Sequence, residues 1–295
     1  MVSRAAACAL AVAAVAMAAP PAASAPAFSG ASALEFTRRA VAFGPRPSGS
    51  DAIRKLQAYI YAQLKPLGCG VSSDDFRGST PLGQVPMKNI IARFPGTSRR
   101  VVAITGHYDT KVMPGRYFVG ANDGGSSTGF LLELARVLAK TKHKDDIWLV
   151  WFDGEEAVAQ WSETDGTYGS RHLAARWASD GTLARLKAVL NVDMIGDRDL
   201  GLVNDAASSQ ALRRLVWDAA ARLGLGRYFL SEQNSMLDDH SPFLDRGAKA
   251  VDLIDFSYGP HNAYWHTDQD TMDKLSAGSF TVVGKVVLEA IRALE

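Results

Sequence analysis

Trp148-Leu-Val-Trp-Phe-Asp-Gly-Glu-Glu156 is the stretch around which the rest of the chain arranges itself. The apolar run from Ile147 to Phe152 stops abruptly at Asp153, Gly154, Glu155 and Glu156. A continuous apolar run of this length, bounded by charge, reads as a buried strand. Two adjacent carboxylates at its end are costly unless something positive sits beside them. Open α/β sheets place their chemistry at the carboxyl ends of strands. The stretch therefore predicts a metal ligand next to a general base.

Other strands end the same way. Val101–Thr105 is apolar and runs into Gly106-His-Tyr-Asp-Thr110, and Leu186–Val192 ends in Asp193. Asn89–Phe94 and Ala250–Asp255 also read as strands, with Cys69–Val85 as an edge strand and a loop. Helices are predicted at Ala33–Phe43, from Ser50 or Asp51 to Leu64, at Ser126–Lys140, from Tyr168 to Ala178, from Ser208 or Ser209 to Leu223, and at Ala277–Leu294. Asp238-Asp-His-Ser-Pro-Phe243 reads as a polar loop or short helix start, and Tyr258–Asp270 as a long loop. The order is two helices, two strands, then repeated strand–helix pairs. It predicts a single α/β domain, a mixed, mostly parallel central sheet flanked by helices on both faces.

The bulk properties agree. The chain has 295 residues, 47% hydrophobic and 21% charged, which suffices for a large core and is too apolar for disorder. The formal net charge is +1 with no basic stripe, so no nucleic-acid partner is expected. Residues 1–25 read as a signal peptide: Arg4, an unbroken small-apolar run from Ala5 to Ala19, and small-x-small sites at Ala16–Ala18 and Ala23–Ala25. Residues 26–295 then form the exported domain, secreted or periplasmic, with no membrane attachment after cleavage, and a monomer is expected. Cys8 lies in the signal, which leaves Cys69 alone and excludes an intrachain disulfide.

The strand-end residues form one constellation: His107, Asp109, Asp123, Glu155, Glu156, Asp193 and, after the last strand, His266. Hard carboxylate oxygens mixed with imidazole suit Zn2+, and manganese or cobalt also accept such a set. Each residue has a plainer reading: a turn at Asp123, helix caps at Asp193 and Asp238, a first-turn pair at Glu155 and Glu156, a solvated loop at His266. Those readings leave unexplained why several strands all end in acid or histidine. His143, in a Lys-rich connector, is read as solvated.

Gly106-His-Tyr-Asp-Thr110, Asn122-Asp-Gly124, Asp153-Gly-Glu-Glu156, Asp193-Met-Ile-Gly196 and Trp265-His-Thr267 together resemble the M28 zinc-peptidase superfamily, in the right order over most of the chain. That superfamily contains di-zinc aminopeptidases and the animal-type glutaminyl-peptide cyclotransferases. The resemblance implies the zinc-aminopeptidase type of sheet. It implies that Asp123, Glu156 and His266 hold a first zinc, that His107 and Asp193 complete a possible second site, that Asp109 orients His107, and that Glu155 is the catalytic base.

Tyr117-Phe-Val-Gly-Ala121, Glu155-Glu-Ala-Val-Ala-Gln-Trp161, Tyr168-Gly-Ser-Arg-His-Leu-Ala174 and Asp238-Asp-His-Ser-Pro-Phe-Leu244 are more similar to the cyclotransferase branch. That likeness implies one zinc, a catalytic Asp238 beside Glu155, substrate contacts from Trp161, Trp265 and Asp252, and peptide or protein N-termini as substrate. The implied reaction turns N-terminal Gln into pyroglutamate with loss of ammonia. The aminopeptidase alternative implies two zincs and hydrolysis. The chain departs from the animal enzymes in having Gly106 and Thr128 where they carry a cysteine pair, Asp252 where they carry histidine, and Leu237 where they usually carry glutamine.

Overall fold

The structure, a computed structural model, describes residues 1–2 and 27–295. Apart from its first two residues, the expected signal segment lies outside the described residues. In chain order the helices are α1 (Gly30–Val41), α2 (Asp51–Leu64), α3 (Gly125–Leu138), α4 (Tyr168–Ser179), α5 (Thr182–Arg185), α6 (Gln210–Arg222), α7 (Ser241–Leu244) and α8 (Ala277–Leu294). The strands are β1 (Gly70–Thr80), β2 (Gly83–Phe94), β3 (Val101–His107), β4 (Asp146–Phe152), β5 (Leu186–Asp193), β6 (Leu202–Asp205), β7 (Phe229–Asn234) and β8 (Ala250–Ile254).

Six strands form the central sheet in the order β1-β2-β4-β3-β5-β8. β4, β3, β5 and β8 run parallel, and the antiparallel β1–β2 hairpin extends one side. The fold is thus the mixed, mostly parallel sheet that the strand–helix alternation predicts. Side chains alternate across a strand, and β4 shows the result. Ile147, Leu149 and Trp151 enter the larger core under α1, α2, α3, α6 and α8, while Trp148, Val150 and Phe152 enter the smaller one under α4 and α7. Full burial of each such side chain contributes about 1.5–3 kcal/mol, which is why an uninterrupted apolar run marks this strand.

The helices follow local chemistry. Ser50 caps α2, its hydroxyl accepting the Ile53 amide at 3.1 Å, and Ile53, Leu56, Ile60 and Leu64 form its buried stripe. The expected edge strand in Cys69–Val85 is β1, which ends the sheet on one side and pairs with β2 in a long hairpin turning at Pro81 and Leu82. Two features differ from the sequence reading. β6 and β7 pair in a second, two-stranded sheet that their short, polar sequences do not announce. His143 is partly buried, its side chain 7% exposed beside the Glu295 carboxylate, because α8 ends against its connector. Among the described residues no helix is long and apolar enough to cross a membrane.

Candidate active site

The four parallel strands aim their carboxyl ends at one edge of the sheet, and the loops leaving them build the site there. β3 delivers His107, β5 delivers Asp193, and the turn after β4 delivers Glu155 and Glu156. The loop between β3 and α3 brings Asp109 and Asp123, and the loop after β8 brings His266. Gly124 is required where the β3–α3 loop folds back: its φ is 72°, and a Cβ there would lie 2.4 Å from the Asp109 carbonyl oxygen.

Two triads result. His266 Nε2 lies 3.2 Å from Asp123 Oδ2 and 3.2 Å from Glu156 Oε2. His107 Nε2 lies 3.1 Å from Asp193 Oδ1 and 3.2 Å from Asp123 Oδ1. Asp123 therefore turns one oxygen to each triad. Within each, the three donor atoms lie within 4.8 Å of one another. Asp123 Oδ2 is buried and makes no hydrogen bond although His266 is near. The two groups converge on a shared point rather than on each other, as ligands of one cation do.

The electrostatics point the same way. Burial depresses an imidazole, yet Asp123 and Glu156 lift His266 to about 10, and Asp193, Asp109 and Asp123 lift His107 well above its ordinary range. Burial raises Glu156, with Asp123 adding to it, and it raises Asp193 to about 7. The cluster has more negative charge than its two histidines balance, and a bound cation would supply the difference. The residues present fit a metal ion.

Outer contacts fix these ligands. Asp109 lies 3.4 Å from His107 Nδ1 and accepts the Glu155 and Glu156 amides at 3.1 and 3.4 Å. Asp270 accepts the amides of Asn122 and Asp123 at 2.8 and 3.1 Å and the Tyr258 hydroxyl at 2.8 Å. Arg46 is fully buried, and its guanidinium donates to the carbonyls of Tyr108, Val119 and Gly120. Neither Arg46 nor Asp270 stood out in the sequence. Arg46 sits within the Pro- and Gly-rich stop after α1, and Asp270 closes the aromatic loop without a motif of its own.

Glu155 and Asp238 both line a cavity of about 300 Å³ that also exposes Asp123, Glu156, Asp193 and His266. Burial pushes the Glu155 carboxyl well above its usual range; His107 opposes this, and Asp238, Glu156 and Asp239 add to it. Asp238 Oδ2 accepts a hydrogen bond from Asn191 Nδ2 at 2.9 Å. Trp161, Met194, Met236, Leu237, Ile254, Phe256 and Trp265 form the apolar wall. Trp265 stacks on His266 with ring centroids 4.0 Å apart. Asp252, expected to touch substrate, does not line this cavity. It is fully buried on β8 and accepts the other hydrogen bond of Asn191 at 3.1 Å, so it stands behind Asp238.

Residues 89–291 match the family described as Peptidase family M28. The chain belongs to that family. Among family members of known kind, it is 32% identical over 252 residues to the glutaminyl-peptide cyclotransferase of Drosophila melanogaster, covering 77% of this chain and 70% of that one. Its structure resembles the crystal structure of an Acidobacteriales bacterium glutaminyl cyclase with a TM-score of 0.89 and 41% identity, over 95% of this chain and 99% of that one. The Porphyromonas gingivalis glutaminyl cyclase gives a TM-score of 0.81 at 29% identity, over 90% and 98%. This M28 protein therefore shares the whole architecture of enzymes in that branch, and its buried His/Asp cluster is capable of coordinating a metal ion.

Proposed function

We propose that this M28 protein is a zinc-dependent glutaminyl-peptide cyclotransferase, which converts N-terminal Gln of peptides to pyroglutamate with release of ammonia. The observation that carries this is that Glu155 and Asp238 both line a small, apolar-walled cavity beside the Asp123–Glu156–His266 triad. Similarity to glutaminyl cyclases over nearly the full chain supports it.

Asp123, Glu156 and His266 would hold the zinc. When bound, the ion supplies Lewis-acid polarisation of the substrate's side-chain amide carbonyl. Trp161, Trp265 and the apolar wall hold the short side chain and exclude water, so the substrate's own α-amine is the nucleophile. Glu155 accepts a proton from that amine and delivers it to the departing ammonia. A carboxyl raised by burial and neighbouring acids suits both halves of that shuttle. Asp238, fixed by Asn191, faces the same cavity and steadies the charge that passes through Glu155. His107 and Asp193 remain as a would-be second set of ligands, with Asp109 orienting His107.

One observation favours a second reading. Asp123 faces both triads, as a carboxylate bridging two metals would. In a di-zinc aminopeptidase Glu155 would activate water instead. A paired assay separates the two. Purified protein is given Gln-Xaa and Leu-Xaa peptides while ammonia, pyroglutamyl product, free amino acid and zinc content are measured. Ammonia and pyroglutamate with about one zinc per chain are expected; free leucine with about two would overturn the reading. Export, with loss of residues 1–25, and action as a monomer belong to the same proposal. The mass of the secreted chain and its size in solution test them.

A further inference from the structure

Asp238 reaches the cavity from a loosely held stretch of chain. Residues 230–235 are exposed, 235–237 have no regular structure, and the chain enters the interior only with Asp238, Asp239 and His240. Leu237, immediately before Asp238, is 70% exposed. A group that takes part in chemistry has to stand within about 0.5 Å of its productive place, and it does so only when its neighbours are themselves held. The second, two-stranded sheet supplies the holder.

β6 ends at Asp205, which is fully buried. Its Oδ1 accepts the Ala207 amide at 3.0 Å and the Met236 amide at 2.9 Å. Its Oδ2 accepts the Ser208 hydroxyl and lies 3.2 Å from His240 Nε2. The bonds to Ala207 and Ser208 are those of an ordinary Asx-type turn ahead of α6. Such a turn does not account for Met236 and His240, which stand two residues before and two residues after Asp238. One carboxylate therefore grips the chain on both sides of Asp238. The pairing of β6 with β7, Asp205 opposite Asn234, brings it there. Burial would raise this carboxyl, but His240, Ser208 and the Met236 amide outweigh burial and hold Asp205 below its usual range, so it is ionised at neutral pH.

The grip continues inward. His240 is fully buried, with Nδ1 3.8 Å from Asp252 Oδ2, on the side where Asn191 joins Asp252 to Asp238. Ser208, held by Asp205, accepts the Asp252 amide at 2.9 Å. Asp205 thus reaches Asp238 through the Met236 backbone, through His240 and through Ser208 and Asp252, yet it does not line the cavity itself.

We infer that Asp205 is a positioning residue for the reaction: by holding the Met236 amide and His240 it fixes where the Asp238 carboxyl stands. The inference rests on the proposed role of Asp238 beside Glu155 and assigns to β6 and β7 the task of supporting it.

A double-substitution cycle tests this. kcat and KM for a Gln-Xaa peptide amide, metal content and melting temperature are measured for the wild type, Asp205→Asn, His240→Gln, Asp238→Asn, and Asp238→Asn combined with each of the other substitutions. Asparagine keeps the shape at position 205 and an acceptor for Met236 but removes the charge that faces His240; glutamine at position 240 removes the same contact from the other side. With Asp238 present, each substitution is expected to lower kcat per metal-loaded chain about tenfold, within what a small misplacement of a reacting group costs. KM should stay within about twofold, since the cavity wall is kept. In the Asp238→Asn background the same substitutions should change kcat by less than about twofold, because no carboxyl is left to place. An equal loss in both backgrounds is what weakened folding alone produces, and it overturns the inference. So does a kcat within about twofold of the wild type in both single variants, or an Asp238→Asn variant as active as the wild type. Release of free N-terminal residues instead of ammonia sinks the cyclotransferase reading alone, and the same cycle measured on that release still decides the role of Asp205.

Discussion

Glu155 and Glu156 are neighbours in sequence to which the proposed mechanism gives different tasks. Both line the cavity, but Glu156 also lies 3.2 Å from His266, whereas Glu155 makes no such contact with a histidine. Glu155→Gln is expected to keep its metal, measured by elemental analysis, while turnover falls at least a hundredfold, the scale of lost proton transfer. Loss of metal instead means that the two roles are exchanged. Asp109 holds His107 and both glutamate amides at once. Asp109→Ala should cost about 10–100-fold in metal affinity or activity, read by competition with a chelator. Most residues of the two triads were legible in the sequence because they stand at or just past a strand end or beside a glycine; His266 was legible through Trp265-His-Thr267 instead. Arg46 and Asp270 were not, since they act on backbone groups that no spacing rule connects to them.

At the scale of elements, the loop from Ala157 to Thr167 is organised by one carboxylate. Three amides and a hydroxyl hold Asp165 below its ordinary range, outweighing the burial that would raise it. A carboxyl depressed in the fold adds stability above its unfolded pKa, about 3.9 for Asp. That stability is lost as pH falls through the lower, folded value. Asp165→Asn should therefore be less stable than the wild type at pH 7, by about 2 kcal/mol on the scale of hydrogen bonds to a charged group. The gap should close as pH falls through the depressed folded value, as thermal melts across the acid range would show. Gly166→Ala attacks the same element from its other side, because φ is 130° and the new methyl meets the Trp161 ring. A raised KM at nearly constant kcat is expected; equal loss in both would mean that the loop does more than carry the indole. Periodicity identified α2 and α8 from their apolar stripes and β3, β4 and β5 from their runs. It missed β6 and β7, because a short strand of Leu-Val-Asn-Asp and one ending Ser-Glu-Gln-Asn bury too little to leave a pattern. The loop after β8 was legible as a loop carrying His266, but not the left-handed φ of 52° at that residue, nor its ring contacts with Phe118 and Trp265.

For the whole molecule, the metal triad ties three distant parts of the chain to one point: the loop before α3, the turn after β4 and the loop before α8. Metal that binds only the folded form stabilises it by about 2.7 kcal/mol at a hundred times its Kd. Chelation should lower the wild-type melting temperature by several degrees and leave His266→Ala, already low, unmoved. A fall of the same size in the variant would place the stabilising metal elsewhere. The mixed, mostly parallel sheet and its helical cover followed from alternation alone, but the strand order and the loops that meet over the sheet edge did not, because those are fixed by contacts between residues far apart in sequence. The separation of Asp123 from His266, nearly half the chain, also bears on biosynthesis. A chain made from its amino end exposes Asp123 and Glu156 well before His266, so the triad is incomplete until that later residue has emerged. Metal choice is then made where the chain finishes folding, not where translation begins. The ion found in the isolated protein is a record of the metal supply in that place.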